Sequence, residues 1–261
     1  MNRFKKYLIS LLILVGITLL FISGKYLDWL WFQTMDATAV FWVTLITGPL
    51  VKLVFGLLIA AFLLINLFLA FKSFNRPQAV PLHDIGLNLS KEALLLPGML
   101  VSLIVAFFLT ASLTMDWTVI QQFLHPVKTG VVDPVFHKDT GFYLFTYPFL
   151  RNLQQLLQVT TFITLAGVIA IYVITKAIWR HHNTWEVWFP AQVHLTVLAT
   201  GFFAASLWGY QLNRYGLLLQ ESGRMTGINY VAEHANLLIL TVLTWAVVVI
   251  IGILWANLFL K

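Results

Sequence analysis

Residues 237–260 have the sequence LLILTVLTWAVVVIIGILWANLFL, which runs for 24 positions without a charged side chain. Because an α-helix rises about 1.5 Å per residue and the hydrocarbon core of a bilayer is about 30 Å thick, a helix of this length crosses the core. A helix is required because lipid offers no partner for unpaired backbone N–H and C=O groups. The stretch therefore predicts a transmembrane helix.

The composition of the whole chain extends this prediction beyond one helix. The 261 residues are 60% hydrophobic and 10% charged, whereas soluble domains are roughly 45–50% apolar and about 25% charged. A water-soluble globule is excluded. The chain has no cysteine, which excludes disulfides, thiolate metal sites and a cysteine nucleophile. The net charge is +6, but no basic run with interleaved aromatics points to nucleic acid.

Five further stretches are apolar enough to span a bilayer, which predicts an all-α, polytopic transmembrane helical bundle. We expect one membrane domain over residues 1–261, with about six spans plus interfacial helices on the outer side. The predicted spans are 7–23, 54–71, 93–113, 156–174, 191–210 and 237–260. The outer segments are 24–53, 114–155 and 211–236, and the inner segments are 72–92 and 175–190.

The charges predict the orientation of this bundle. With the N-terminus inside, the inner segments carry the whole net charge of +6 and the larger share of Lys and Arg. Basic residues concentrate on the cytoplasmic side of membrane proteins, and those beside the first span usually dominate. Arg3, Lys5 and Lys6 precede that span, so both termini are expected inside.

The predicted spans contain small residues at helical spacing and no charge near the middle of the bilayer. Ser102, Ala106 and Thr110 repeat every four residues, as do Gly201 and Ala205, which predicts close helix packing within the bundle. A proton relay, a voltage sensor or an ion-coupled carrier would need an ionisable group at the midplane. The sequence therefore does not favour these functions.

The second outer segment holds most of the residues that could carry chemistry. Residues 141–149, GFYLFTYPF, are expected to lie in the headgroup layer with their rings toward the acyl chains. Oxygen and imidazole ligands for a metal could come from Asp133, His137, Asp139 and His234, with His125 and Glu233 as further members. Their spacing matches no known metal motif, and the alternative is that Asp133 caps a turn ahead of Pro134.

The chain lacks the common catalytic motifs. The sequence has no GxSxG, P-loop or HExxH pattern, and spacing alone assigns no pair of carboxylates to acid–base catalysis. We therefore assign no catalytic residue, predict no cofactor and no metal, and favour binding over catalysis.

Several strings together resemble one family of bacterial integral membrane proteins, the uncharacterised protein family 0182. They are residues 28–32 (DWLWF), 40–42 (VFW), 133–139 (DPVFHKD), 141–145 (GFYLF), 148–151 (PFLR) and 227–235 (GINYVAEHA). The last string is similar to the family pattern at Tyr230, His234 and Ala235. It departs from that pattern at Val231 and Ala232, where the family has Thr and Asp.

The resemblance implies a bacterial cytoplasmic membrane protein with about seven N-terminal spans followed by a long extracytoplasmic region. It implies no activity, because none is established for the family. The family layout also places residues 141–149 and the block around Tyr230 beneath an outer domain, as its docking floor.

Our interpretation is a membrane scaffold or subunit that contacts the lipid bilayer and holds an extracytoplasmic domain or partner at its outer rim. The predicted partner-binding residues are large or aromatic side chains with one arginine: Trp29, Trp31, Phe142, Tyr143, Tyr147, Arg151 and Tyr230. Asp133, His137 and His234 are expected to add polar contacts. One alternative is a transporter or channel subunit for a lipid or another apolar solute. A second alternative is an outer-leaflet enzyme with a His/Asp metal site.

Overall fold

The structure is a computed structural model that describes residues 3–75, 91–113, 117–181, 184–219, 221–222, 225–226, 230 and 232–260. Seven α-helices occur in these residues: α1 (Arg3–Thr34), α2 (Thr38–Phe71), α3 (Lys91–Ala111), α4 (Trp117–Leu124), α5 (Tyr147–Ile174), α6 (Phe189–Gly216) and α7 (Leu237–Phe259). Helical turns of π type precede α5 (Phe142–Thr146) and α7 (Ala232–Asn236). Turns of 3-10 type follow α2 (Lys72–Asn75) and α6 (Leu217–Leu219).

Two antiparallel hairpins complete the described secondary structure. Strands β1 (Ile178–His181) and β2 (Thr184–Val187) pair between α5 and α6. Strands β3 (Glu221–Ser222) and β4 (Met225–Thr226) pair between α6 and α7.

Six of the described helical segments are long and apolar enough to cross a membrane, so the chain is a membrane protein. They are Tyr7–Thr34, Thr38–Phe74, Leu94–Ala111, Phe142–Ile174, Phe189–Leu219 and His234–Phe259. Most of their large aliphatic side chains are exposed, including Leu20, Leu57 and Val242. An aqueous protein could not expose so much apolar surface without association, whereas in a bilayer these faces meet lipid.

The chain divides into two compact units, Met1–Val51 and Lys52–Lys261. In the first unit, α1 ends at Thr34, and Asp36 adopts the left-handed conformation (φ 54°) two residues later. The backbone N–H of Ala37 donates to the carbonyl of Phe32 at 2.9 Å, which is the pairing that ends a helix in a Schellman motif. The exposed ion pair between Lys25 and Asp28 also lies in this unit.

The core of the second unit lies where α2, α5 and α6 meet. Its buried members are Ala70, Val168, Tyr172, Ala177, Ala191 and Leu198. At one edge of this core, Ser73 donates a hydrogen bond to the Thr175 hydroxyl at 3.0 Å.

Small residues allow the helices of the second unit to approach closely, as the sequence predicts. Ala106 and Thr110 of α3 are buried, and a Cβ added at Gly56 of α2 would lie 3.3 Å from the Thr110 hydroxyl. Ala205 of α6 is buried as well, and a Cβ at Gly201 would lie 3.7 Å from the Thr161 methyl group of α5. The structure thus confirms the predicted packing role of Ala106, Thr110 and Ala205, whereas Ser102 is half-buried and Gly201 is exposed.

The fourth predicted span begins much earlier in the structure than in the sequence prediction. Helical structure starts at Phe142 rather than at residue 156, so residues 141–149 are not a separate interfacial segment but lead directly into α5. The predicted span began at residue 156, after the mostly polar residues Arg151 to Gln155, although Gln158 lies within it. The structure turns the Gln154 and Gln158 amides toward other helices, where hydrogen bonds satisfy them.

Other predicted segments also differ in detail. Pro49 does not interrupt the helix, because α2 continues through it. The inner segment 175–190 folds into the hairpin of β1 and β2, which the sequence prediction did not contain. Residues 76–90 of the inner segment 72–92 lie outside the described residues.

Candidate docking surface before helix α5

The candidate site is built on residues 125–141, here called the clamp loop, which connect α4 to the turn before α5. The loop folds back on itself, with Val132 and Asp139 in an isolated antiparallel bridge. Beside this bridge the backbone N–H of Thr140 donates to the carbonyl of Val131 at 2.8 Å. The backbone alone makes few such bonds, so side chains must fix the rest of the loop.

The Asp133 carboxylate fixes the turn at the tip of the clamp loop. Its Oδ1 accepts hydrogen bonds from the backbone N–H groups of Val135 at 2.9 Å and Phe136 at 2.6 Å. Its Oδ2 accepts from the backbone N–H of Lys138 at 2.8 Å and from the Tyr143 hydroxyl at 2.9 Å. Asp133 is buried, and its four hydrogen bonds join the turn to the start of helical structure before α5.

The Asp139 carboxylate fixes the base of the loop in the same way. Its Oδ1 accepts from the backbone N–H groups of Thr129 at 3.1 Å and Gly141 at 2.7 Å, and its Oδ2 accepts from that of Gly130 at 2.9 Å. A side chain at Gly141 would collide with the Val127 carbonyl oxygen. Glycine is therefore required where the loop closes on itself.

Both carboxylates are held in the charged form. Burial alone would raise the pKa of Asp133, but the backbone N–H groups of Phe136 and Lys138 and the Tyr143 hydroxyl together lower that pKa below its usual 3.8. Hydrogen bonds from Thr129, chiefly from its backbone N–H, lower the pKa of Asp139. Hydrogen bonds donated to a carboxylate stabilise its charged form, so both clamps are fully formed at neutral pH.

Aromatic side chains attach the clamp loop to the helices beneath it. The rings of Phe136 and Phe142 meet the Tyr215 ring of α6 edge-on, with centroids 5.3 and 5.4 Å apart. The ring of Phe123 in α4 stacks on that of Phe149 in α5 at 4.0 Å. Such ring pairs prefer these geometries and add stability beyond simple burial. The loop is therefore a fixed platform on α5 and α6.

The clamp loop and the last residue of α4 expose five large aliphatic side chains. We call this set the aliphatic rim, and each member exposes 44–62% of its surface. The members are Leu124, Val127, Val131, Val132 and Val135. Exposed apolar groups gathered on a rigid surface mark contact sites for proteins or membranes.

A polar pocket of about 340 Å³ lies beside the platform, where α5 begins and α6 ends. We call it the helix-end pocket. Its polar lining comes from Tyr147, Arg151, Asn213 and Asn236. The Arg151 guanidinium donates from Nη1 to the Gln154 side-chain oxygen at 3.0 Å.

Comparison with known proteins places the chain in a family. The sequence model of an uncharacterised protein family, UPF0182, matches residues 6–261. The chain belongs to this family. It is similar to UPF0182 proteins of Pelotomaculum thermopropionicum and Desulforamulus reducens, each 30% identical over 98% of this chain and 30% of the relative. A UPF0182 protein of Geobacter sp. is 32% identical over 89% of this chain and 27% of the relative.

This UPF0182 chain therefore spans about 30% of the length of the relatives it matches. No solved structure matches it. The strings DPVFHKD (133–139) and GFYLF (141–145), which carried the family resemblance, supply both clamping carboxylates, Gly141 and the ring of Phe142. In this chain they have a structural role that needs no ligand.

The structure distributes the predicted partner-binding residues of the UPF0182 chain over different environments. Tyr143 is only 6% exposed, since its hydroxyl is bound to Asp133, and it offers no ring surface to a partner. Tyr147 and Arg151 line the helix-end pocket, whereas Tyr230 is 75% exposed.

Trp29 and Trp31 belong to the first unit, which is described by itself. Trp31 is exposed, and Trp29 is partly exposed and stacks on Tyr26 with ring centroids 5.8 Å apart. Much of the sequence block 227–235 lies outside the described residues, although the rings of Tyr230 and His234 stack at 4.1 Å.

The candidate metal ligands do not form a cluster in the described part of the chain, where no three His, Asp or Glu side chains come together. Asp133 and Asp139 instead accept the backbone hydrogen bonds given above. The structure thus shows Asp133 capping the turn that contains Pro134, which is the alternative drawn from the sequence. His137 adopts the left-handed conformation (φ 54°) directly after that turn.

Sequence reasoning missed two polar networks inside the helices. In the first, Gln154 donates to the Gln158 side-chain oxygen at 2.7 Å and to the Ala205 carbonyl at 3.0 Å. In the second, His194 of α6 bridges the Asn66 side-chain oxygen at 2.9 Å and the Tyr172 hydroxyl at 2.8 Å.

The second network indicates which ring nitrogen of His194 carries the proton. Nε2 of His194 faces an acceptor, because the amide nitrogen of Asn66 is used on the Phe62 carbonyl, so Nε2 carries the proton and the Tyr172 hydroxyl donates to Nδ1. Uncharged Asn, Gln and His in apolar runs were the available signal.

Proposed function

We propose that this UPF0182 chain is a membrane scaffold that holds an extracytoplasmic protein domain against the aliphatic rim. The observation that carries the proposal is a loop fixed by two carboxylate clamps that exposes four large aliphatic side chains beside the exposed Leu124 of α4. A preordered surface loses little conformational entropy on binding. Rigid apolar side chains are therefore effective anchors for a partner.

The size of the relatives supports a protein occupant. Most of each relative lies outside the part that this chain matches, and the family resemblance implies a long region on the outer side of the membrane. We propose that the rim contacts such a region, in the same polypeptide or in a separate subunit.

A crosslinking experiment tests the docking proposal. Since the chain has no cysteine, Val131→Cys provides a unique attachment site for a photoreactive probe in the native membrane. We expect one protein adduct of defined mass. Val242→Cys, on an exposed lipid-facing position of α7, is the matched control and should react with lipid alone.

A second pair of variants tests whether the partner binds to the aliphatic rim itself. Val131→Lys combined with Val135→Lys should abolish the adduct from a probe at Val127→Cys, because it places charges on the rim. Lys128→Ala in the same loop should leave that adduct unchanged. Lipid adducts alone at Val127 and Val131 would show that the rim meets the headgroup layer, and the scaffold proposal would fail.

For the location, we propose the bacterial cytoplasmic membrane, with both termini inside and the clamp loop outside. The charge distribution supports this orientation, and the matched relatives are bacterial proteins. A membrane-impermeant maleimide applied to intact cells should label Lys128→Cys, which is exposed in the same loop but does not belong to the aliphatic rim. It should label Trp185→Cys, exposed on strand β2 after α5, only after the cells are opened. Labelling of Trp185→Cys but not of the loop cysteine in intact cells would contradict the proposed orientation.

A second candidate function, passage of a lipid, is favoured by a groove between α2, α3 and α5. The groove has a volume of about 350 Å³ and an almost wholly apolar lining that includes Leu67, Pro97, Val101, Gly167 and Ile171. Ligand sites commonly have volumes of roughly 300–1,000 Å³. The groove involves the second, third and fourth of the predicted spans.

A substitution that fills the groove tests this alternative. A Cβ at Gly167 meets no atom within 4 Å, so Gly167→Phe should occupy the groove without disturbing the helix. Gly252→Phe is the matched control, because Gly252 of α7 is equally unobstructed and does not line the groove. Transbilayer movement of a fluorescent phospholipid in proteoliposomes should slow only with Gly167→Phe. Equal rates in both variants would remove the candidate.

A further inference from the structure

Three helical segments bring polar side chains together in the helix-end pocket. Tyr147 and Arg151 lie one turn apart on α5, Asn213 lies near the end of α6, and Asn236 immediately precedes α7. These residues are distant in sequence, so only the tertiary fold assembles them. Convergent polar groups in one concave site are the usual mark of a binding pocket.

A chain of hydrogen bonds holds the Arg151 guanidinium of the pocket in place. Arg151 donates to the side-chain oxygen of Gln154, which is 1% exposed and donates in turn to Gln158 and to the Ala205 carbonyl. This network holds Nη1 of the guanidinium in place. A guanidinium has five N–H donors in a fixed planar arrangement.

The pocket supplies no negative charge from the carboxylates whose side chains the structure describes. None of them forms an ion pair with Arg151, since the described ion pair is that of Lys25 and Asp28. A half-buried cation has lost part of its hydration, and the neutral Gln154 oxygen does not balance its charge. An anionic ligand would restore that balance.

We propose that the helix-end pocket binds a phosphate group. Arg151 would provide the positive charge and a planar set of donors, which suits the paired oxygens of a phosphate. The Asn213 and Asn236 amides and the Tyr147 hydroxyl would provide further donors.

The remaining wall of the pocket is apolar and consists of Leu217, Ile239 and Leu240. This combination fits a phospholipid, with its phosphate on the polar wall and the start of an acyl chain on the apolar wall. Free inorganic phosphate shares the charged chemistry but not the apolar contact.

Binding to the purified chain tests the proposal without any protein partner, so its outcome is independent of the scaffold proposal. The probes are dihexanoyl phosphatidylglycerol, dihexanoylglycerol as its phosphate-free analogue, and inorganic phosphate, each titrated while the thermal unfolding temperature is followed. We expect the phospholipid to stabilise the chain and dihexanoylglycerol to have no effect. Equal stabilisation by inorganic phosphate would identify the free anion as the ligand of the same site.

Substitutions connect this binding to the pocket. Arg151→Gln should raise the Kd for the phosphate-bearing probe at least tenfold, whereas Lys128→Gln, which removes a cation from the clamp loop, should leave it unchanged. Should Arg151→Gln fail to fold, Asn213→Ala on a different helix carries the test, with an expected rise of threefold or more. Wild-type affinity in a folded Arg151→Gln variant, or equal binding of dihexanoylglycerol, would overturn the proposal.

Discussion

Replacing Asp133 with Asn should loosen the clamp loop while leaving the helices intact. The Asn side chain retains an oxygen toward the backbone N–H groups of Val135 and Phe136 but places an NH₂ group where Oδ2 now accepts from Lys138 and Tyr143. The Tyr143 hydroxyl can turn and accept a hydrogen bond. The backbone N–H of Lys138 cannot, so it loses its side-chain partner.

The size of the effect follows from these contacts. A hydrogen bond to a charged group contributes roughly 1.5–3 kcal/mol and a neutral one roughly 0.5–1.5 kcal/mol. Losing the Lys138 bond and weakening the others should together lower the free energy of local opening by about 3 kcal/mol. Since about 1.4 kcal/mol corresponds to a factor of ten, opening should become about 100 times more frequent.

Amide hydrogen exchange followed by mass spectrometry measures this opening directly. Peptides covering residues 129–141 should exchange about 100-fold faster in Asp133→Asn and about tenfold faster in Tyr143→Phe, which removes one hydrogen bond. Asp28→Asn is the control, because it breaks the exposed ion pair of α1, which contributes about 0–1 kcal/mol. Unchanged exchange in Asp133→Asn would refute the view that its carboxylate holds the loop.

Two further predictions concern pH and helix packing. Because the folded pKa values of Asp133 and Asp139 lie below the ordinary 3.8, their contribution to loop stability is complete above that value and is lost as pH falls through the folded values. Exchange protection, corrected for intrinsic rates, should therefore be level from about pH 7 to about pH 5 and decline only below about pH 4. Gly209→Ala should lower the free energy of unfolding by about 1–3 kcal/mol, because its Cβ would lie 2.5 Å from Nε2 of the buried Gln154. Gly167→Ala, which meets no atom within 4 Å, is the control, and equal stability of the two variants in denaturant titrations would contradict the packing argument.

The clamp loop shows how far sequence reasoning reaches. Asp133 before Pro134 predicted a turn, because an aspartate commonly accepts hydrogen bonds from the backbone that follows it. The second clamp at Asp139 was not predicted, since its partners Thr129 and Gly130 come from the opposite side of the loop. Only a folded loop brings them to one carboxylate.

The aromatic residues show a different limit. Phe142, Tyr143 and Tyr147 were predicted as surface anchors, because a large aromatic ring, which in tyrosine also carries a polar hydroxyl, suits an interface. The same property suits a buried contact with a hydrogen-bonding partner, and Tyr143 takes that role. Sequence alone cannot distinguish an exposed interfacial tyrosine from a buried one, because both environments accommodate the ring and give the hydroxyl a hydrogen-bonding partner.

The sequence by itself determined that the protein lives in a membrane, with six stretches of the described residues apolar enough to cross it. These properties depend on the free energy of moving each side chain from water to lipid, which accumulates along a continuous stretch of chain. The tertiary structure alone decided that Gln154 continues a helix, that Tyr143 points inward and that Arg151 shares a pocket with Asn213. Those outcomes depend on hydrogen bonds and contacts between residues far apart in the chain, which exist only after the helices have packed.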